Sequence, residues 1–289
     1  MPASGGVHRE YPRSVRSRAQ QVVKQAAGFY DRVRPGDRGV VVLAYHRIGG
    51  RSAAQEIDLP TDRFDAQLEL LTERGTAATL DDALSSLAAP APAPASAGPD
   101  PVVVTFDDGT ADFVDVALPV LVRHAVPAVI YIATDFIEGG HAFPDGGTAL
   151  SWAGLRDALS TGLVTVGSHT HTHALLDRVD ASSAAAELDR SIELIGARTG
   201  VEARHFAYPK ALAGNAAVRA EVAQRFRSAA LAGTRPNRYG HTDPYALSRS
   251  PVQRADGMEW FARKLAGGLR LEDDVRRLAN RVRYIGASA

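Results

Sequence analysis

The chain reads as an α/β protein, parallel strands joined by helical crossovers, on three observations. From Val40 onward, short apolar runs alternate with segments of helical period; examples are Val102-Val103-Val104, Val129-Ile130-Tyr131-Ile132 and Val164-Thr165-Val166. Alternation of strand and helix favours parallel strands with right-handed crossovers, because each helix returns the chain to the edge it left. Finally, Asp107, Asp108, His169 and His173 all lie at or just past the ends of such runs, and the carboxyl ends of strands are where folds of this class assemble their sites.

Taken in order, residues 1–14 carry Gly, Ser, Pro and Arg without a period and are expected to lack structure. Between Ser17 and Val33, Val22, Val23, Ala26, Ala27 and Tyr30 recur at helical spacing, which predicts a peripheral helix. Val40–Ala44 is the first buried strand and delivers Tyr45 and His46 at its end; Phe64, Leu68 and Leu71 then form a helical face. Residues 89–101 are a Pro/Ala segment that cannot be helix and has nothing to bury, so it is read as a surface insertion. Strands follow at 101–107, 128–133 and 163–169, and helices at about 112–125, 152–161 and 181–197. The last helix has Leu188, Ile192 and Ile195 on one face and Asp180 as its cap. Helices at about 257–267 and 271–284 are expected on the outside, with Trp152 and Trp260 in the core. The expected division is a tail and helix over 1–38 and one folded domain over 39–289.

Composition narrows the function classes. The 289 residues contain 33 basic and 33 acidic side chains, so net charge offers no reason to expect nucleic acid as a partner. Residues 1–38 are locally basic, eight Lys or Arg against Glu10, Asp31 and Asp37, a net of +5. Such a leader could touch a membrane surface or a phosphate-bearing substrate, although a solvated helix or tail is the preferred reading. There is no cysteine, so any metal site must use nitrogen and oxygen. No run is long and apolar enough to span a bilayer, and no signal-peptide core is visible; a cytoplasmic location is expected.

The chemistry concentrates in two places. Thr105-Phe106-Asp107-Asp108-Gly109 sets two carboxylates at the tip of a buried strand. Side chains alternate along a strand, so both cannot face one site unless the chain turns, and Gly109 permits a turn. Some sixty residues on, a second apolar run ends in Ser168-His169-Thr170-His171-Thr172-His173. One Asp and two His match the three protein ligands of a catalytic zinc site, which leaves the other carboxylate to take a proton from water. Separately, each motif has a plainer explanation: Asp-Gly is a common turn, and His at spacing two could be an exposed polar strip. In an extended segment His169, His171 and His173 share a face; a turn after His169 would bring only the outer two together.

Three segments together resemble the polysaccharide deacetylases, carbohydrate esterase family 4: the TFDDG run, the His-Thr-x-x-His pattern at 169–173, and Phe206-Ala207-Tyr208-Pro209. The resemblance runs from about Val40 to about Gln253 and includes Ala44–Ile48 and Pro127–Ile132. It implies a distorted (β/α) barrel, so that 39–289 would be the catalytic domain. It further implies Asp107 as general base and Asp108, His169 and His173 as ligands of a divalent metal, most simply Zn2+, with Co2+ or Ni2+ as alternatives. His171 is left as a supporting or surface residue. The third segment is expected to line the groove through Tyr208 and Pro209 and to present the Lys210 backbone amide to the oxyanion.

The sequence departs from the family in Ala207, where many members carry Arg, and in Lys210-Ala211, where an aromatic and Gly are usual; Arg204 is out of register. The late Leu-x-x-His of the general acid is not visible after Tyr208. His46, and after it His241, are the candidate proton donors, with a core role for His46 equally open. Asp243–Arg249 resembles a segment of intracellular-type members, so Arg249 either orients Asp107 bidentately or forms a salt bridge at the barrel bottom. The expected function is a metal-dependent hydrolase that takes an N-acetyl group from an amino sugar or glycan, a cytoplasmic glycoside, nucleotide sugar or lipid-linked sugar among the candidates. A glycan-binding pseudoenzyme and a deacylase of non-sugar amides are the alternatives.

Overall fold

The computed structural model describes residues 38–50, 56–91, 98–144 and 146–268. The expected leader helix, the helix at 271–284 and the middle of the Pro/Ala segment lie outside the described residues. Seven strands form one parallel sheet: β1 (Val41–Tyr45), β4 (Val102–Phe106), β5 (Ala128–Ile132), β6 (Val164–Ser168), β7 (His205–Ala207), β8 (Ser228–Ala230) and β9 (Arg249–Pro251), with β2 (Arg47–Ile48) and β3 (Asp58–Leu59) as a separate short pair. Their order is β8-β7-β6-β5-β4-β1-β9, so sequential strands are neighbours through most of the sheet. The edges then meet. Leu247 N donates to Ala229 O, Leu231 N to Leu247 O and Gly233 N to Arg249 O, so the segment leading into β9 rests on β8 while β9 itself pairs with β1. The sheet thereby curls into the distorted barrel expected from the resemblance.

Strand parity sorts the apolar side chains. Val41, Leu43, Tyr45, Val102, Val104, Phe106, Ile130, Ile132 and Val166 form the outer face, packed against α1 (Thr61–Glu73), α3 (Leu118–His124), α5 (Trp152–Ser160) and α8 (Met258–Leu265). The alternate residues Val42, Val103, Val129, Tyr131, Ala207 and Ala230 fill the barrel interior, and α2 (Leu80–Ala88) plugs one end with Leu80, Ala83 and Leu87. Interior space is tight. A Cβ on Gly167 would lie 2.6 Å from the Tyr131 ring and 2.7 Å from His205 O, so only Gly fits opposite that tyrosine.

One expected helix differs. Residues 113–117 form a π-turn before α3, and Pro119 explains it: the proline lacks an N–H, and its ring would press on the carbonyl four residues back, so the first turn widens. α4 (Thr134–Gly139) follows β5, and α6 (Ala181–Thr199) carries the expected cap, with Ser183 N donating to Asp180 Oδ1 at 2.7 Å. α7 (Ala216–Arg225) packs on α6 and β8. Trp152 and Trp260 are half-buried rather than core: Trp152 donates to Glu138, and Trp260 lies under the Arg263 guanidinium. No helix among the described residues is long and apolar enough to cross a membrane.

Candidate active site

Parity aims the site inward. Asp107 follows Val103 and Thr105 on the interior face of β4, and His169 follows Thr165 and Gly167 on β6. The chain then turns at Asp108, whose φ of 73° begins the bend that Gly109 (φ 93°) completes, so both carboxylates reach one cleft. Thr170 (φ 66°) and His173 (φ 63°) do the same after β6, and Lys210 (φ 53°) and Ala211 (φ 57°) after β7. Among the described residues only Ala125 shares this left-handed conformation without being Gly. Such backbone costs about 1 kcal/mol or more per residue, and strain of this kind collects at functional sites.

The loops enclose a cleft of about 240 Å³ lined by His46, Asp107, Asp108, His169, His173, Lys210, Leu231, Arg249 and Gln253, among others. Asp108 Oδ1 lies 3.6 Å from His169 Nε2 and 3.5 Å from His173 Nε2, and the ligating atoms of the three residues all lie within 4.8 Å of one another. Ligands at zinc-type bond lengths in tetrahedral array are roughly 3.3 Å apart, so the triangle is the size of such a site. The donor set also fits. His169 Nδ1 donates to Ala207 O at 2.7 Å, since a carbonyl can only accept; this fixes the tautomer and leaves the Nε2 lone pair facing Asp108. Burial lowers the His169 pKa to about 4, so the ring is neutral and able to ligate near pH 7.

Asp107 stands beside the triangle. Arg249 Nη1 and Nη2 donate to its Oδ1 and Oδ2 at 2.5 and 2.8 Å, while Arg249 itself is steadied by Leu231 O and Thr105 Oγ1. Burial alone would favour the neutral acid, yet the guanidinium and the His169 and His46 rings hold the Asp107 carboxyl below its ordinary range. Burial likewise opposes the charge on Asp108, and the His173, His46 and His169 rings overcome it, bringing this carboxyl well below the usual value. His46 Nε2 is 4.0 Å from Asp107 Oδ2.

Residues 95–227 match the polysaccharide deacetylase family. That stretch, a little under half of the chain, is what the chain shares with the family. The chain's fold is also that of solved deacetylases. IcaB from Ammonifex degensii is 25% identical with a TM-score of 0.67, covering 80% of this chain and 98% of that one. The Streptococcus pyogenes deacetylase PplD, solved with acetate, is 19% identical with a TM-score of 0.67, over 79% and 99%. A polysaccharide deacetylase from Bacillus cereus is 22% identical with a TM-score of 0.63, over 79% and 69%. No curated protein sequence matches the chain.

Against this deacetylase frame, Asp107, Asp108, His169 and His173 fall inside the matched residues, whereas His46 and Arg249 lie outside them and join the site through β1 and β9. Three expected residues need correction. Tyr208 does not line the groove: its ring is buried against Phe206 (centroids 5.0 Å apart) in a cluster with Val218, Val222 and Phe226, and Pro209 is buried beside it. Residues 206 and 208 share the outer face of β7, so the cleft receives Lys210 and Ala211 instead. His241 sits with Arg38, Ala88 and Tyr239, near the start of β1 and away from the cleft. Arg204 binds Asp81, also remote. His171 stays out of the triangle: its Nδ1 is 2.9 Å from Thr134 Oγ1 and its Nε2 3.7 Å from Asp135 Oδ1. Thr105, Leu231 and Gln253 were not expected at the site; strand parity on β4 was the available signal for Thr105.

Proposed function

We propose that the chain is a metal-dependent hydrolase that removes an N-acetyl group from an amino sugar or glycan. The observation that carries the reading is the Asp108–His169–His173 triangle with a separate, buried carboxylate, Asp107, held ionised next to it. A divalent ion of the zinc, cobalt or nickel type held by the triangle would polarise the acyl carbonyl and make water acidic enough to yield a proton to a weak base.

Asp107 is that base. Its low pKa keeps the carboxylate charged and ready, and Arg249 fixes both oxygens while leaving lone pairs free on each. Once protonated, Asp107 is no longer a strong acceptor for Arg249, so the proton has a reason to move on. His46, near Asp107 Oδ2, is the proposed donor to the leaving amine, and the Lys210 backbone N–H is the proposed donor to the oxyanion. A backbone donor is indifferent to the change from aromatic to Lys.

The test is acetate release from a chitooligosaccharide by purified protein supplied with Zn2+, Co2+ or Ni2+. Asp107→Asn should lower turnover by about 10²- to 10⁴-fold, the usual span for a positioned general base, while metal content is unchanged. Glycan binding without acetate release by the unaltered protein would favour a binding module.

A further inference from the structure

The loop between His169 and His173 must hold two left-handed residues, Thr170 and His173, to bring both rings onto Asp108. Nothing within the loop explains how. The amides of His171 and Thr172 face outward from the cleft, toward α6, and both end on one side chain: Glu187 Oε2 accepts from His171 N at 3.0 Å and from Thr172 N at 2.8 Å, and Glu187 Oε1 accepts from Thr172 Oγ1 at 2.9 Å. One turn further along the same helix face, Ser191 Oγ lies 2.8 Å from Ser168 Oγ, which accepts from Thr170 N at 3.2 Å. α6 therefore grips the loop at both ends, through residues four apart.

We propose that Glu187 is a positioning residue for the metal site, acting through the peptide groups of His171 and Thr172 to keep His173 in its ligating, left-handed conformation. The inference rests on the triangle being a metal site. A carboxylate suits the task because two backbone N–H groups and a hydroxyl converge on it, and bonds to a charged acceptor are about twice as strong as neutral ones. Without it, the strained loop relaxes toward conformations in which the His173 ring leaves Asp108. Rigid placement of donors lets a site bind its ion without first ordering the chain.

The readout is Zn2+ affinity by competition with a chromophoric chelator, measured beside thermal unfolding of the metal-free protein. Glu187→Ala should weaken Zn2+ binding by about tenfold or more, the range for groups that support ligands. Glu187→Gln keeps a carbonyl oxygen for the two amides and should recover most of the loss. Asp189→Asn, a change on the same helix that weakens its contact to Arg225 of α7, serves as the control and should leave affinity unchanged. Wild-type affinity in Glu187→Ala overturns the proposal, as does a Gln variant no better than Ala. Should Glu187→Ala fail to fold, Thr172→Val removes one of the three bonds at an exposed residue and must still weaken binding; unchanged affinity there overturns it equally. If unaltered protein binds no Zn2+, the metal reading itself has failed, a result distinct from any difference among variants.

Discussion

The two ends of the barrel hold the same kinds of residue in different solvent, and the contrast separates chemistry from support. Just past the carboxyl end of β4, Asp107 meets Arg249 of β9; their side chains are only 7% and 3% exposed, and the pair is bidentate. At the amino ends, Asp81 takes Arg204 and Arg227, with side chains 34%, 42% and 51% exposed, and lies 3.5 Å from Nε2 of the buried His205. Each cluster is an Asp with arginine and histidine. Water screens the second, so its ion pairs contribute little, whereas the first is removed from water and every charge in it depends on its partner. Burial, more than residue type, decides which ion pair depends on its partner.

The contrast is tested most severely by removing a ligand. His169→Ala should abolish metal binding, and with it acetate release, while His171→Ala should keep the metal; equal loss in a metal-content assay would show the triangle to be misassigned. Next in size is Arg249→Ala, which leaves Asp107 buried and unpaired and should destabilise the protein by about 3–5 kcal/mol in chemical denaturation. Arg249→Lys cannot reproduce the fork. Because Arg249 holds the Asp107 pKa down, losing it raises that pKa, and the acid limb of the activity profile should move to higher pH.

How much of this was legible beforehand follows from how local each signal is. Strand parity and the Asp-Asp-Gly and His-x-x-x-His spacings lie within a few residues, and they marked the elements and the two motifs; which Asp and which His meet in the triangle was implied by the family resemblance. Parity was available for Tyr208 too, since it follows Phe206 by two and so shares its face; the motif outweighed the period, and the ring lies in the core. The π-turn before α3 was signalled by Pro119. Glu187 was invisible for a different reason. On a helix it reads as an ordinary acidic residue, and only the docking of α6 against a loop fifteen residues upstream gives it three donors. Arg249 and Asp107 are 142 positions apart, a contact that barrel closure creates and that the resemblance at Asp243–Arg249, rather than any local signal, suggested as one of two readings.

A smaller effect is expected at the amino end, in the metal-free protein. Burial lowers the His205 pKa to about 4, below the ordinary imidazole value, with the Arg204 and Arg227 charges adding and Asp81 opposing. The folded state therefore resists a proton that the unfolded chain accepts as pH falls through about 6.5. Stability present above that pH should decline toward pH 4 and level off below it, so far as this residue is concerned. His205→Asn should flatten part of that decline. A pH–stability curve with the same slope in both proteins would remove His205 from the account.

The smallest effect isolates the exposed half of the comparison. Arg227→Ala removes a half-exposed guanidinium that donates to Asp81 Oδ1 at 2.7 Å, while Arg204 keeps Oδ2 at 2.8 Å. A single surface pair contributes at most about 1 kcal/mol, and here the carboxylate retains a partner. The unfolding free energy should thus fall by less than this, more at low salt than at high, because screening already weakens the pair. Acetate release and Zn2+ affinity should not change, since Asp81 and the cleft lie at opposite ends of the strands. A loss comparable to that of Arg249→Ala would mean that the two ends are mechanically coupled through the barrel and that exposure is a poor guide to which cluster matters.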